Sequence, residues 1–143
     1  MTALKMAWLI FVIALIAALI SIYILPAETQ IAVHWNMNGE VDRYGSLIEG
    51  LLFQPAIMLF ILALIQSLKY FEPRSENLAE SKVAKEWIAL TAVTLMAIIL
   101  FGSIATSFGY DVPMMKVIVV SIMCMLIVIG NFLSKTKANF FIG

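Results

Sequence analysis

Residues 6–25 of this 143-residue chain read MAWLIFVIALIAALISIYIL, a run without a single charged side chain. At about 1.5 Å per residue, a helix of this length spans roughly 30 Å, which is the thickness of the hydrocarbon core of a bilayer. Lys5 precedes the run, as in a signal peptide. The run is longer than a signal core of roughly 7–15 apolar residues, however, and no clean cleavage site follows it. It therefore predicts a retained membrane-spanning helix.

The composition of the whole chain extends this prediction. Hydrophobic residues make up 63% and charged residues 13%, against about 25% charged in a typical soluble domain. One soluble core of this size cannot hide so much apolar surface. The net charge is zero, so there is no basic footprint for direct contact with nucleic acid. The single cysteine, Cys124, excludes an intramolecular disulfide. We expect an integral membrane protein whose main partner is the lipid bilayer, without a cofactor.

Three further apolar runs follow, at 51–68, 87–108 and 114–133. They predict an all-α integral membrane protein with four transmembrane helices, a single membrane domain over 1–143, an outer loop at 26–50 and a second loop at 69–86. Pro55 is expected in the first turn of its helix, where the missing N–H is tolerated. In the first span, Ala14 with Ala18 and Ala17 with Ser21 form small-x-x-x-small pairs, which favour close helix packing.

Lysine and arginine predict the orientation, because cytoplasmic loops of membrane proteins are enriched in both. With the N-terminus inside, only Arg43 and Lys116 lie outside, and Lys116 is close enough to its helix start to anchor it at the interface. We therefore expect a multi-pass membrane protein with both termini cytoplasmic, which in a bacterium would place the loop at 26–50 on the outer face of the plasma membrane. The cytoplasmic residues would be Lys5, Lys69, Arg74, Lys82, Lys85, Lys135 and Lys137.

The polar chemistry of the chain is concentrated in residues 31–46, between the first two spans. Asn38-Gly39 favours a hairpin with a type I′ turn, since both residues tolerate φ > 0. Pairing across this turn places His34 opposite Arg43 and Trp35 opposite Asp42. A lone hairpin is marginal in water, so we expect its apolar face, with Tyr44, to lean on the membrane interface or on the helix tips.

Several functions compete for this loop. His34, Glu40 and Asp42 are legitimate metal ligands, but the loop lacks a helical His-x-x-x-His frame. Acid–base catalysis by the same residues needs a second group of polar residues, which no other outward segment offers. A purely structural turn and ligand recognition are compatible, so we assign no metal site and no catalytic residue and do not expect an enzyme. The candidate ligand-binding residues are His34, Trp35, Asn36, Gly39, Glu40, Asp42, Arg43 and Tyr44.

The charged stretch at 72–86 is the second polar segment. Ser75 is a plausible N-cap, and Lys82 with Glu86 has the i,i+4 spacing of a helical ion pair. A solvated extension of the third span explains the stretch. The alternative is a docking surface for a cytoplasmic partner, formed by Arg74, Glu76, Lys82 and Lys85.

The polar loop resembles a known family. Leu25-Pro26, Ile31-Ala32-Val33-His34-Trp35-Asn36, Gly39-Glu40 and Asp42-Arg43-Tyr44-Gly45-Ser46 look like the domain of unknown function at the N-terminus of SdpI-like immunity proteins, with Ala32 in place of a proline. Residues 130–143 resemble the opening motif of the SdpI domain itself, with Ser134 and Ala138 where prolines are common. Relatives typically continue with two further membrane helices, so we expect a shortened relative or a truncated product.

This resemblance implies a bacterial immunity and sensor protein. Such a protein binds a secreted toxin peptide at its outer loop and signals to a cytoplasmic regulator through its inner loop. The alternative is a structural or accessory subunit that packs against a transporter or membrane enzyme. Neither an oligomer nor a monomer is favoured by the sequence.

Overall fold

The computed structural model describes residues 1–71 and 81–133. Within these ranges the chain forms four helices and one antiparallel hairpin between the first two helices. All four helices are long and apolar enough to cross a membrane, which confirms the predicted all-α, four-span architecture. The elements are α1 (Ala3–Ile24), β1 (Ile31–Trp35), β2 (Val41–Gly45), α2 (Leu47–Phe71), α3 (Lys82–Ser107) and α4 (Met114–Leu133).

Helix α3 is the centre of the bundle. It packs against α1, α2 and α4, and α1 also packs against α2, whereas α4 makes its main helix contact with α3. Large apolar side chains of α4, including Val120, Met123, Leu126 and Ile127, are exposed. Exposure of such residues along a span is expected for a surface that faces lipid tails.

The packed face of α1 is built from small residues. Ala7, Ala14 and Ala18 are fully buried, so the first predicted small-residue pair lies in the helix interface, where small side chains let backbones approach. The two residues of the second pair differ in burial, since Ser21 is buried and Ala17 is half-buried. The Ser21 hydroxyl donates to the carbonyl of Ala17 at 2.8 Å, which satisfies the hydroxyl within its own helix.

Capping residues place two helix starts earlier than the apolar runs suggest. The Thr2 hydroxyl accepts from the backbone N–H of Lys5 at 3.3 Å, and α1 begins at Ala3. The Ser46 hydroxyl accepts from the N–H of Glu49 at 3.2 Å, and α2 begins at Leu47. These are N-cap bonds, which polar residues can form outside the apolar run. Pro55 is consequently about two turns inside α2, and its predicted place in the first turn is wrong.

The end of the bundle opposite the hairpin joins three helices. Trp87 near the start of α3 stacks on Phe132 near the end of α4, with ring centroids 5.5 Å apart. The Glu86 carboxylate accepts from the N–H of Leu4 in α1 at 3.5 Å. Within the described part of the chain Glu86 forms no ion pair with Lys82, so that predicted pairing is wrong.

Residues 82–86 belong to α3, as the predicted helical extension of the third span requires. Of the predicted docking residues, Lys82 is exposed and Lys85 half-buried in the first turn of this helix. The other two, Arg74 and Glu76, lie outside the described residues, as does the predicted N-cap Ser75.

Candidate ligand-binding site

The hairpin turn is organised by Asn36. Its side-chain oxygen accepts from the N–H groups of Asn38 at 2.9 Å and Glu40 at 3.0 Å, and its backbone carbonyl accepts from the N–H of Gly39 at 3.0 Å. Gly39 has φ +85°, whereas no non-glycine residue in the described ranges has a positive φ. The predicted type I′ turn is therefore wrong, because it requires positive φ at Asn38 as well. An asparagine side chain that bonds the backbone two residues on replaces it.

The strand register agrees with the prediction at one position and differs at another. His34 lies opposite Arg43, as predicted, but Trp35 pairs with Val41 and not with Asp42. The register shifts on either side of His34. An irregularity of this kind inserts an unpaired residue and changes the partners beyond it, which alternation in the sequence cannot reveal.

Three polar pairs connect the hairpin residues to one another and to α2. His34 Nδ1 lies 2.5 Å from Asp42 Oδ1. The Asn36 amide donates to Glu40 at 2.9 Å, and Arg43 Nη1 lies 3.4 Å from Glu49 Oε1. These exposed pairs, defined as His34–Asp42, Asn36–Glu40 and Arg43–Glu49, are in water and contribute little to the free energy of unfolding.

This pairing separates the three residues weighed as metal ligands. Glu40 is bonded to Asn36 on the turn, away from the contact between His34 and Asp42. Within residues 1–71 and 81–133, no three His, Cys, Asp or Glu side chains converge as a metal site would need.

The hairpin is fixed to α2 by close backbone contact. Ile31 is fully buried, and a Cβ placed on Gly50 would lie only 2.3 Å from the Ile31 Cβ. Glycine is thus required at the first turns of α2 for β1 to rest on it. At the other end of the hairpin, a Cβ on Gly39 would lie 3.4 Å from the Cβ of Met115 in α4. The hairpin therefore bridges from α2 to α4 and lies on the helix tips, as one of the two expected arrangements. Tyr44, expected on the contact face, is 57% exposed.

Beneath this bridge lies a cavity of about 430 Å³, which we call the chamber. Its size is within the range of small-ligand pockets, and its walls are mostly apolar with a few polar groups, as such pockets usually are. The chamber is lined by Val33, His34, Trp35 and Arg43 of the hairpin, Glu49, Phe53, Gln54 and Ile57 of α2, Met96 and Ile99 of α3, and Met115 and Ile118 of α4.

The structure divides the candidate residues into two groups. His34, Trp35 and Arg43 line the chamber, while Asn36, Gly39 and Glu40 build the turn. Asp42 contacts His34, and Tyr44 is exposed at the end of the hairpin near α2. Three of the eight candidate residues therefore line the chamber, and none of the lining residues on the helices was a candidate.

Gln54 is the wall residue that a sequence signal could have found. It is a polar residue within the predicted second span, and polar side chains inside spans usually have a function. Its side chain is only 7% exposed. Its amide oxygen is fully buried and accepts no hydrogen bond within the part of the chain that the structure describes.

Together, the fold and the chamber define a four-span integral membrane protein with a hairpin-covered cavity between its helices. The sequence model of a family described as a domain of unknown function, DUF1648, matches residues 9–59. This segment includes most of α1, the hairpin and the first half of α2, so it fits the N-terminal part of the resemblance. No curated protein and no solved structure matches the chain.

Proposed function

We propose that this protein is a bacterial immunity and sensor protein that binds a secreted toxin peptide, or a similar ligand, at the hairpin end of its bundle. The observation that carries the proposal is the chamber of about 430 Å³ under the hairpin. A protein that serves only to fill the membrane has no need of a cavity with polar groups at its rim, whereas ligand sites combine these features.

The distribution of polarity supports an amphipathic ligand. His34, Arg43 and Glu49 line the chamber and are exposed, whereas Ile57, Met96 and Ile99 provide apolar walls at least half-buried in the bundle. A peptide with apolar side chains and a polar backbone matches both environments. The likeness of residues 25–46 to the N-terminal domain of SdpI-like immunity proteins adds the expectation that this peptide is a toxin.

The proposed orientation places the chamber where a secreted peptide arrives. With both termini in the cytoplasm, the hairpin faces outward and the positive residues concentrate inside, as in most membrane proteins. In a Cys124→Ala background, Met37→Cys should react with a membrane-impermeant maleimide added to intact cells, since Met37 is 94% exposed. Lys82→Cys should react only after lysis. The reverse labelling pattern would contradict the orientation and the proposed function with it.

Signalling to a cytoplasmic regulator would pass along α3. This helix lines the chamber through Met96 and Ile99 and carries Lys82 and Lys85 in its first turn. A ligand that shifts the one helix packed against all three others can change what those lysines present to a regulator.

Filling the chamber tests the function directly. Ile99→Trp should occupy the space that the ligand needs, and the cavity offers room for the added ring. Cells sensitive to a secreted peptide toxin should lose protection when they express this variant, while the folded yield is maintained. Leu126→Trp is the control, because Leu126 is on the exposed face of α4. Full protection by Ile99→Trp would contradict the proposal.

A structural or accessory subunit is the second candidate. It is favoured by the exposed apolar surface of α4, which packs mainly against α3 and could receive a helix of a transporter or membrane enzyme. In this case tryptophan at Leu126 would disturb assembly, and tryptophan at Ile99 would not. The same two variants therefore separate the two functions.

A further inference from the structure

The chamber occupies a gap between α2 and α4. Both helices pack against α3, but within the described chain they do not pack along each other. Met96 and Ile99 of α3 form the back of the gap, and the hairpin covers its end. Phe53 lines the chamber from α2 and is nevertheless 61% exposed, so this wall ends at the outer surface of the bundle. The chamber therefore opens sideways, toward the lipid tails that surround the spans.

The depth of the chamber matches one leaflet of a bilayer. Met96, the lining residue of α3 farthest from the hairpin, lies eleven residues before Ser107, the last residue of this helix. At about 1.5 Å per residue this distance is roughly 16 Å, and half of a hydrocarbon core is roughly 15 Å. The chamber thus reaches from the interface to about the middle of the bilayer, as the acyl chain of a lipid does.

The deeper walls of the chamber suit an acyl chain. Ile57 and Ile118 are branched aliphatic residues, and Met96 and Met115 are flexible thioethers that adapt to varied shapes. Gln54 also lies in this part, but its amide oxygen is fully buried in the protein and is not presented to the chamber. A ligand therefore needs no polar group below the rim.

The rim of the chamber carries one charge of each sign. Arg43 Nη1 lies 3.4 Å from Glu49 Oε1, and both side chains are exposed and line the chamber. An exposed pair of this kind contributes little to stability, so it can open to admit a ligand. A guanidinium binds a phosphate through two N–H groups, and a carboxylate accepts a charge-assisted hydrogen bond from an ammonium. The rim is therefore complementary to a headgroup that contains both a phosphate and an ammonium.

This pair of charges distinguishes between phospholipids. Phosphatidylglycerol would offer a phosphate to Arg43 but no cation to Glu49. Phosphatidylcholine has a cation without an N–H group to donate to the carboxylate. Phosphatidylethanolamine has both the phosphate and an ammonium that donates, so it matches both residues of the rim.

We propose that the chamber holds one acyl chain of a phospholipid from the leaflet on the hairpin side. The phosphate of this lipid contacts Arg43, and its primary ammonium contacts Glu49, as phosphatidylethanolamine allows. The inference goes beyond the proposed function and does not depend on it, because the lipid enters from the bilayer whether or not a peptide ligand is present.

Trp35 provides the measurement, since it lines the chamber from the hairpin. Trp8 packs on Phe11 and Trp87 stacks on Phe132, and neither lines the chamber. The full chain carrying Trp8→Phe and Trp87→Phe is placed in nanodiscs of phosphatidylcholine. A minor fraction of the lipid is then replaced by phosphatidylethanolamine, phosphatidylcholine or phosphatidylglycerol with identical brominated chains, which quench a nearby indole.

We expect brominated phosphatidylethanolamine to quench Trp35 most. Its enrichment at the chamber over the other two lipids should be about two- to fivefold, as one exposed ion pair implies. Glu49→Gln should abolish this preference. Glu28→Gln is the matched control and should retain it, because Glu28 is exposed in the loop before the hairpin and does not line the chamber.

A second variant tests where the chain lies. Ile99→Phe fills the back of the chamber and should lower the quenching by phosphatidylethanolamine to that by phosphatidylcholine. Leu126→Phe, on the exposed face of α4, should leave it unchanged. Glycerophosphoethanolamine, which has the same headgroup without acyl chains, should not relieve the quenching.

Equal quenching by the three lipids in the chain that retains Glu49 would overturn the inference, even if Glu49→Gln failed to fold. A preference that persists in both Glu49→Gln and Ile99→Phe would also overturn it, because the lipid would then bind elsewhere. Relief by glycerophosphoethanolamine would overturn it in favour of a soluble phosphoester. Equal quenching together with toxin protection in cells would overturn the lipid site and leave the proposed function standing.

Discussion

The exposed polar pairs and the chamber walls are neighbours in space but differ in how they are built. The pairs His34–Asp42, Asn36–Glu40 and Arg43–Glu49 all form within residues 34–49 and satisfy one another. The chamber walls come from the hairpin and three helices, and they include one buried amide oxygen without a described partner. The polar residues that draw attention in the sequence thus bond mainly to one another, and His34 and Arg43 also line the chamber, while residues that resemble ordinary membrane spans form the rest of the cavity.

The largest loss of stability is expected from a substitution at the contact between the hairpin and α2. Gly50→Ala would bring its methyl group into Ile31, which is fully buried, and should cost roughly 1–3 kcal/mol of the free energy of unfolding, as overpacking does. If the hairpin lifts, the chamber loses its cover, and in a chain that also carries Trp8→Phe and Trp87→Phe the emission of Trp35 should shift to the red. Size-exclusion chromatography after graded heating measures the stability.

Gly130→Ala is the matched control for this change. Gly130 is also in a helix, and a Cβ there meets nothing within 4 Å. It should be neutral or slightly stabilising because alanine is the better helix former. An equal loss of stability in both variants would mean that the contact with Ile31 is not what limits Gly50.

The next largest loss of stability is expected from a substitution in the hairpin turn. Gly39→Val places a β-branched residue at φ +85°, a left-handed conformation that costs about 1–2 kcal/mol in L-residues. Folded yield in detergent should fall, with the helix content of the remaining protein unchanged by circular dichroism. Gly39→Asn should recover part of the yield, since asparagine tolerates positive φ. No difference between the two variants would contradict the strained-turn explanation.

A smaller loss of stability is expected at Asn36, and Asn38 in the same turn provides the comparison. Asn36→Ala removes an acceptor for two backbone N–H groups and should cost about 1 kcal/mol, as the loss of a capping side chain does. Within the described chain the Asn38 side chain makes no such bond, although its backbone N–H is bonded to Asn36. Asn38→Ala should therefore be nearly neutral in the same thermal assay. The opposite order would place the organising role at Asn38.

The smallest effect on stability is expected at the exposed pair of His34 and Asp42. Their side chains are 63% and 42% exposed, so His34→Ala or Asp42→Asn should change the free energy of unfolding by less than about 0.5 kcal/mol. Ligand response or toxin protection should nevertheless fall, because His34 lines the chamber and Asp42 positions it. Parallel loss of folded protein and function would make these residues structural. Full activity of both would exclude the hairpin as the ligand site.

Much of the fold could be predicted from local patterns. Four long apolar runs predicted four spans, and the Asn-Gly signal with flanking alternation predicted a hairpin in which His34 opposes Arg43. Errors arose where a side chain competed with the backbone pattern. Asn36 displaced the type I′ turn, and the Ser46 cap moved the start of α2 so that Pro55 lies deeper in the helix.

The sequence by itself determined the membrane class, the number of spans and the place of the polar hairpin, because each depends on the character of a continuous run of residues. Only the tertiary structure decided that α3 is central, that the hairpin bridges α2 and α4, and that Gln54 faces a chamber without a described hydrogen-bond partner. A cavity is the space left between elements, and its walls are apolar residues from positions as distant as 33 and 118. In a chain that is mostly apolar, nothing local distinguishes a residue that faces such a space from one that faces lipid.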